Sequence, residues 1–589
     1  MSPFPAKEVT IICLRLKYQI DAVVPCELPE EAVTKSHSQI ITPAVIETAK
    51  TAGGDKYKAC VVFCLLVVKK WFQRLAIQEL WDQELYTVRA IACEVIAKHI
   101  IEGEEDLEYL LQDILLKRYS LLVNDQETAP ANVIERAVDL HALRIIGSSG
   151  YQKCISYLWK GWLIQDENDP SRFIEYRDKT NTSYWSHLDP DRMRVPLYQN
   201  ALQIIISVVY LALYSGAINT INPSGDLDVV EGLLYIFTAG FLCDEISKFW
   251  KVGRYYFSFW NAFNSVLYAL LVVSFVLRMI ALGHPLGSHP RERFNELSYD
   301  FLAFSAPMFW ARLLLYFDSF RFFGTMIVVV KVMMRESLIF FALLLVVLIG
   351  FLQAFIGLDQ VDNNLSATSF VVKALLNAIM TSPEFDGFER FSPPFGLILY
   401  YLYTFTVLVI LLNILIALYS SAYDDIVGNS ADEFLALFAQ KTMQFVRAPD
   451  ENVFIAPFNL IEIFCLILPF EWWMSKDKYE KLNDYVMATI YSPLLVITAA
   501  VETRRAHAVK SNRMRGAEED DVIDEWEQLL DECNFVEDGW EKKVNETKPD
   551  VEQTAIAECK ELRKEVAELK DILERAMKSR GSEKGAKST

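Results

Sequence analysis

Residues 381–425, TSPEFDGFERFSPPFGLILYYLYTFTVLVILLNILIALYSSAYDD, decide the fold. An acidic loop carrying Glu384, Asp386 and Glu389 runs into a long apolar stretch that one amide, Asn413, interrupts. Just upstream, residues 367–380 (ATSFVVKALLNAIM) are apolar but too few to cross a bilayer, whose core of about 30 Å takes roughly 20 helical residues. Hydrocarbon cannot satisfy a polar group, so an amide persists within a span where it faces water or protein. A short helix that dips in, leaves by an acidic loop and continues into such a span is how a re-entrant pore loop and a pore-lining helix are written. The competing reading is an ordinary external loop with a surface helix.

The rest of the chain agrees with a membrane protein bearing polar ends. It has 589 residues, 52% hydrophobic yet 23% charged, so several modules are expected and the two characters must be segregated along the chain. Six segments are long and apolar enough to span: 198–218, 229–250, 256–282, 298–318, 336–357 and 395–422. The fourth is the weakest, because it holds Asp300, Pro307 and Arg312. Basic residues gather before the first span (Arg192, Arg194), in the second loop (Lys248, Lys251, Arg254) and in the fourth (Arg321, Lys331, Arg335). Acids dominate the fifth loop, and the basic excess marks the cytosolic side. Arg291 and Arg293 in the third loop run against this pattern, though Glu292 and Glu296 accompany them. Both termini are therefore expected in the cytosol, and the opening residues have no apolar core of a signal peptide. Asn364-Leu365-Ser366 is a sequon on the lumenal side of this arrangement. The ten cysteines are expected as free thiols; Cys60 and Cys64 read as a buried element rather than a metal site. A net charge of −20 argues against a nucleic-acid partner.

Permeation requires oxygen ligands or negative charge that replace part of a cation's hydration. In a tetramer Glu384, Asp386 and Glu389 each become a ring of four at the pore mouth or filter. No TVGYG run is present, so weak discrimination among cations is expected, with calcium and monovalent ions both admitted. A solvated acidic loop is the plain alternative. Among the span-four arginines Arg312 stands alone, which predicts shallow voltage dependence. Asp244, Glu245, Asn261 and Asn264 sit at the cytosolic end of spans two and three. They either form a calcium site of oxygen ligands or lose their acids to a salt bridge with Lys248.

Having reached these residues, the chain resembles the transient receptor potential (TRP) superfamily and, within it, the fungal vacuolar cation channels. Residues 413–418 (NILIAL) are similar to the superfamily's lower sixth-helix signature, and Trp260-Asn261 with Asn264 to its third-helix pattern, where an Asp usually takes the last place. SPEFDGFERFSPPFG and YSSAYDDI point to the fungal branch. The resemblance implies a homotetrameric, non-selective, calcium-permeable channel of the vacuolar membrane. Such channels release calcium to the cytosol and respond to cytosolic calcium, membrane tension and phosphoinositides. It implies that Ile416, one turn below Asn413, is the gate, and that a helix near residues 431–447 lies along the membrane. Calcium is then both permeant and regulatory. A phosphoinositide is the modulating lipid, with Arg192, Arg194, Lys248, Lys251 and Arg321 near its leaflet.

The fold expected is an all-α polytopic membrane protein. A cytosolic helical linker domain (1–194) leads to a voltage-sensor-like four-helix bundle with its linker (195–335) and a pore domain (336–425). A helix of the TRP type with cytosolic or interfacial helices follows (426–510). Residues 454–502 are apolar enough to tempt further spans, but Glu462, Pro469 and Pro493 interrupt them. In the acidic segment (511–550), Glu518, Glu519, Asp520 and Asp521 lack the spacing of a calcium loop. They either sense calcium by charge neutralisation, as the family resemblance implies, or solvate a linker. Ala555, Cys559, Leu562, Val566, Leu569, Leu573 and Ala576 alternate spacings of four and three, a heptad seam for a coiled coil over 551–580. A lone amphipathic helix is the alternative there, and 581–589 reads as a disordered tail. No nucleophile–base pair, phosphate loop or metal triad suggests an enzyme. A secondary transporter would show doubled halves, and a non-conducting receptor or scaffold would use the acidic tail to recruit partners.

Overall fold

Helical spacing of apolar residues takes up most of the N-terminal region, and the computed structural model shows how it is buried. It describes residues 4–35, 38–166, 172–220, 226–252, 259–361, 368–388, 391–447, 454–471, 474–522 and 539–547. Two units emerge, 1–507 and 508–589. Helices α1 (Ala6–Val23), α2 (Val61–Gln78) and α3 (Gln83–Glu102) pack together. The run around Val61–Val68 forms the buried centre of α2, with Cys60 and Cys64 both fully buried. Their sulfurs are 4.0 Å apart, and burial pushes the Cys64 thiol well up. This is the packing role expected, and the eight described cysteines are free. Lys69 and Glu94 make a buried ion pair between α2 and α3. Further on, Asn132 and Glu135 form a reciprocal capping box, which satisfies amides a helix start leaves open. Helix α4 (Ser149–Lys160) ends at Gly161 in the left-handed region. Two short antiparallel hairpins, β1–β2 (Leu122–Val123, Gln126–Glu127) and β3–β4 (Leu163–Gln165, Phe173–Glu175), correct the all-α expectation locally.

Among the described residues four helices are long and apolar enough to cross a membrane: α5 (Pro196–Asn219), Trp260–Leu282 within α7 (Phe259–Leu282), Arg321–Leu358 within α10 (Arg321–Val361), and α12 (Phe395–Gly428). The second expected span is a 24-residue helix, α6 (Val229–Val252), whose Glu231, Asp244, Glu245 and Lys248 keep it less apolar. Glu231 is not left alone: Arg278 of α7 grips both its oxygens at 2.7 and 3.0 Å. The fourth expected span is broken into α8 (His289–Phe304) and α9 (Ala306–Leu314). Pro307 sits just after the break, in a first turn where its missing N–H costs nothing. No break separates the expected linker from the fifth span. They form one 41-residue helix, α10, about 60 Å long at 1.5 Å per residue.

Helix α13 (Ser430–Arg447) joins this rod to the linker domain. Gly324 lets it close on α10, since a Cβ there would lie 2.7 Å from the Asp318 carbonyl and 3.0 Å from the Phe434 ring. Lys441 pairs with Asp318. On its other side Trp159 meets Phe438 with ring centroids 4.9 Å apart, and Arg447 pairs with Asp139 at 2.9 Å.

Residues 454–502 fold back on the four-helix bundle. Phe454, Leu466, Met487, Tyr491 and Leu495 share one buried cluster with Leu202 of α5. Within this segment Lys481–Ile490 and Ser492–Arg515 meet at 85°, and they supply a fifth crossing if that bent pair counts as one. Glu502 is the polar anchor. It takes a 2.7 Å bond from Arg192 and another bond from the Tyr198 hydroxyl. Arg192 also donates to the Gly161 carbonyl at 2.9 Å and lies 4.0 Å from the Tyr176 ring centre. Burial raises the Tyr176 phenol to about 12, against the lowering field of Arg192. The coiled-coil seam lies outside the described residues.

Two outcomes follow from this packing. Maleimide should label exposed Cys26 in the native protein, while Cys93 and Cys154 react only after unfolding, as read by mass spectrometry. Glu502→Ala should strand a buried guanidinium at a local cost of about 3–5 kcal/mol. Differential scanning fluorimetry should register this as a fall of several degrees in Tm, larger than that of the double change Arg192→Met with Glu502→Leu.

Candidate pore and ion sites

The pore layer is built from a helix that stops in the protein interior. Helix α11 (Thr368–Ile379) buries Val371, Ala374, Leu375 and Ala378 against α10 and α12. It ends as Thr381 enters the left-handed region at φ 61° and the Ser382 N–H returns to the Asn377 carbonyl at 3.0 Å. That leaves the last turn's carbonyls, and the negative end of the helix dipole, beside the acidic loop. Two tyrosines of α12 reach the helix one turn earlier: Tyr403 donates to the Leu375 carbonyl at 2.9 Å and Tyr400 to that of Ala374 at 3.2 Å.

The loop then alternates. Phe385 and Phe388 turn inward on Tyr400, with centroids 5.2 and 4.0 Å away, while Glu384 and Asp386 are exposed on the opposite side. Gly387, at φ 94°, passes so near Phe370 that a Cβ would sit 2.8 Å from its ring. Asn377 reaches the Glu384 carboxylate at 3.5 Å. The structure therefore brings together Glu384, Asp386 and the dipole of α11, a concentration of negative charge suited to cations. Glu389 lies outside the described residues.

Below this, α12 passes through a π-helical stretch, Phe405–Leu411, before resuming as Leu412–Gly428. Asn413 and Ile416 lie just past it, both exposed in the single chain. Asn413 donates to the Val409 carbonyl at 2.8 Å, occupying its amide within its own helix. Nothing in the sequence pattern distinguished the wider turn, whose apolar residues also fit an ordinary helix.

At the end of α6 the two acids part company. Asp244 takes Lys248 at 2.7 Å, and Glu245 accepts from Asn264 of α7 at 3.3 Å. Of the two readings, the salt bridge holds for Asp244. No group of three or more His, Cys, Asp or Glu poised for a metal occurs among the described residues.

A functional feature missed in the sequence is the setting of Arg312. It is buried in the bundle, with its guanidinium carbon 4.2 Å from the Phe241 ring centre, 5.3 Å from Tyr268 and 5.5 Å from Tyr210. Tyr316 accepts its bond at 3.3 Å. Three rings from three helices hold the charge by their negative faces, a signal hidden in residues far apart in sequence.

The basic residues expected near lipid headgroups separate as well. Arg192 is buried, its donors committed to Glu502 and two backbone carbonyls; this corrects its assignment, because a buried guanidinium cannot meet a headgroup. Arg194 pairs with Asp191 at 2.9 Å, and Arg321 is exposed at the start of α10. Lys251 lies at the end of α6, its side chain outside the described residues. In the second unit, Arg513 pairs with Glu519, and the Glu518 N–H donates to Asp521 at 3.2 Å. Asn512 donates to the carbonyls of Glu519 and Asp521 at 3.3 and 2.9 Å. The acidic run, Asp520 included, is thus a turn folded onto the end of the preceding helix.

Arg312→Gln should leave the steepness of the conductance–voltage relation unchanged in planar-bilayer recordings, because a caged charge does not move in the field. Each charge that did cross would contribute about 2.3 kcal/mol per 100 mV; a shallower curve in the variant would show that Arg312 moves.

Residues 206–503 match the family model of the calcium channel YVC1-like C-terminal region, and residues 9–188 match the TRPY1 N-terminal linker helical domain. The calcium channel YVC1 of Candida albicans is 42% identical over 89% of this chain and 79% of its own length. That of Saccharomyces cerevisiae is 39% identical, over 88% and 78%. A solved structure of full-length TRPY1 in detergent, with PI3P and calcium bound, superposes with a TM-score of 0.74 at 35% identity. The match covers 89% of this chain and 93% of that one. With its apolar spans and its carboxylate-bearing pore loop, the chain belongs to the YVC1-like calcium channels of the TRP class, a family of multi-pass membrane channels and not of enzymes.

Proposed function

We propose that four copies of this chain form a non-selective, calcium-permeable channel of the vacuolar membrane that releases calcium to the cytosol. Each copy contributes six spans, both termini are cytosolic, and the seam over 551–580 adds a coiled coil to the assembly. The observation that carries the reading is the outward turn of Glu384 and Asp386 at the end of α11, backed by buried aromatic rings. Fourfold repetition of that mouth creates rings of carboxylate oxygens able to replace part of a cation's water shell. Ile416 narrows the lower passage, and Asn413 marks its water-facing side. The domain divisions expected from the sequence follow, with the linker and fifth span acting as one helix.

Cytosolic calcium, membrane tension and a phosphoinositide modulate opening. The calcium and PI3P bound to the similar TRPY1 support the first and third of these. Arg194, Lys248, Lys251 and Arg321 are the headgroup contacts on this reading. Glu245 with Asn264, or the turn at 518–521, offers oxygen for regulatory calcium.

The test is single-channel recording of purified protein in a planar bilayer, with calcium as the main lumenal cation. The pair Glu384→Gln and Asp386→Asn should lower calcium current about tenfold, the change produced by 1.4 kcal/mol of lost ion affinity, while monovalent current persists. Unchanged calcium current would move the permeation site elsewhere. No current under calcium, stretch or lipid would leave a receptor or scaffold.

A further inference from the structure

The buried face of the pore layer contains one side chain whose polar atom serves two elements at once. Tyr400 is fully buried in α12. Its ring is stacked on Phe388 with planes 13° apart, and Phe385 meets it edge-on. A phenol hydroxyl donates one hydrogen bond and accepts others, and here both capacities are used. The hydroxyl donates to the Ala374 carbonyl at 3.2 Å and accepts from the Glu384 backbone N–H at 3.1 Å. One oxygen thus ties the pore helix to the residue whose carboxylate faces the ion path. Tyr403, one turn further along α12, has a simpler task. It donates to the Leu375 carbonyl at 2.9 Å and touches the pore helix alone among these polar groups.

We propose that Tyr400 is a positioning residue for ion selectivity: its hydroxyl fixes the backbone height of Glu384 and so sets how strongly the channel prefers calcium over potassium. The inference rests on the reading of Glu384 as part of the filter. Chemistry supports a selective effect rather than a general loss of structure. Removing the hydroxyl keeps the stacked ring and the aromatic backing intact, and the Ala374 carbonyl keeps its helical partner, but the Glu384 amide loses its acceptor. An unpaired buried amide is costly, so the loop shifts to find another acceptor, and the carboxylate moves with it. Tyr403→Phe removes a bond of the same kind to the same helix without touching the loop. The two variants therefore separate positioning of the filter from support of the helix.

The experiment measures bi-ionic reversal potentials, calcium against potassium, for full-length wild type, Tyr400→Phe, Tyr403→Phe and Glu384→Gln in planar bilayers. The expected result is a calcium-to-potassium permeability ratio roughly two- to tenfold lower in Tyr400→Phe, the range commanded by one net hydrogen bond, and a ratio near wild type in Tyr403→Phe. Equal shifts in both tyrosine variants, or none in Tyr400→Phe while Glu384→Gln lowers the ratio, would overturn the positioning role and leave the filter reading standing. A ratio unmoved by Glu384→Gln would overturn the filter reading itself. If Tyr400→Phe fails to assemble, fluorotyrosines introduced at position 400 keep the ring while weakening the hydroxyl as an acceptor. The ratio should then fall stepwise with added fluorine, and a flat series would again overturn the proposal.

Discussion

A helix that ends inside an apolar layer needs a fixed seat as well as donors for its last carbonyls, and the seating of α11 organises the candidate pore layer. Water is scarce there, and an unsatisfied carbonyl costs as much as a lost hydrogen bond. The returning backbone supplies those donors from Met380, Thr381 and Ser382, while Tyr400 and Tyr403 of the neighbouring span add bonds to carbonyls one turn earlier. Because their rings must be buried to reach, Phe355, Phe385, Phe388 and Phe391 collect around them. With Phe385 and Phe388 facing inward, Asp386 between them and Glu384 before them are left exposed. Charge on this face thus follows from burying the rings that seat the helix.

The four-helix bundle meets the same rule with different means. Its buried charges are either matched, as Arg278 is by Glu231, or surrounded by aromatic faces, as Arg312 is. Arg192 and Glu502 repeat the device where the chain enters the bundle, joining residues 310 apart in sequence. These pairs do little for net stability relative to an apolar packing of the same shape. They do fix which helix meets which, since a misplaced neighbour would expose an unpaired charge.

How much of this was legible beforehand depended on range. The apolar runs, the short helix ahead of the acids and the amide at Asn413 are local patterns, and they led to the correct family. The burial of Val61–Val68 was equally local. Partners across hundreds of residues were not legible: Arg192 read as a charge near lipid because it stands just before the first span, and Glu502 gave no hint of it. The same holds for the rings about Arg312, drawn from three helices. Asp244 and Glu245 are adjacent in sequence, yet side chains on neighbouring helical positions point about 100° apart, so each found its own partner. The division drawn at residue 336 falls inside one continuous helix, because the basic residues counted as a loop, Lys331 and Arg335, belong to α10. Charged residues are ordinary on a helix that runs beyond hydrocarbon.

That uninterrupted helix carries a mechanical consequence. Its early turns are clasped to α13 at Gly324, and its later turns pack against α11 and α12. A hinge would let the two ends move independently; a rod does not. With about 60 Å between its ends, a tilt of about 5° at one end sweeps the other through about 5 Å. A small rocking at the α13 joint would therefore be enlarged along the rod, as at the end of a lever, into a displacement comparable with the diameter of a hydrated ion.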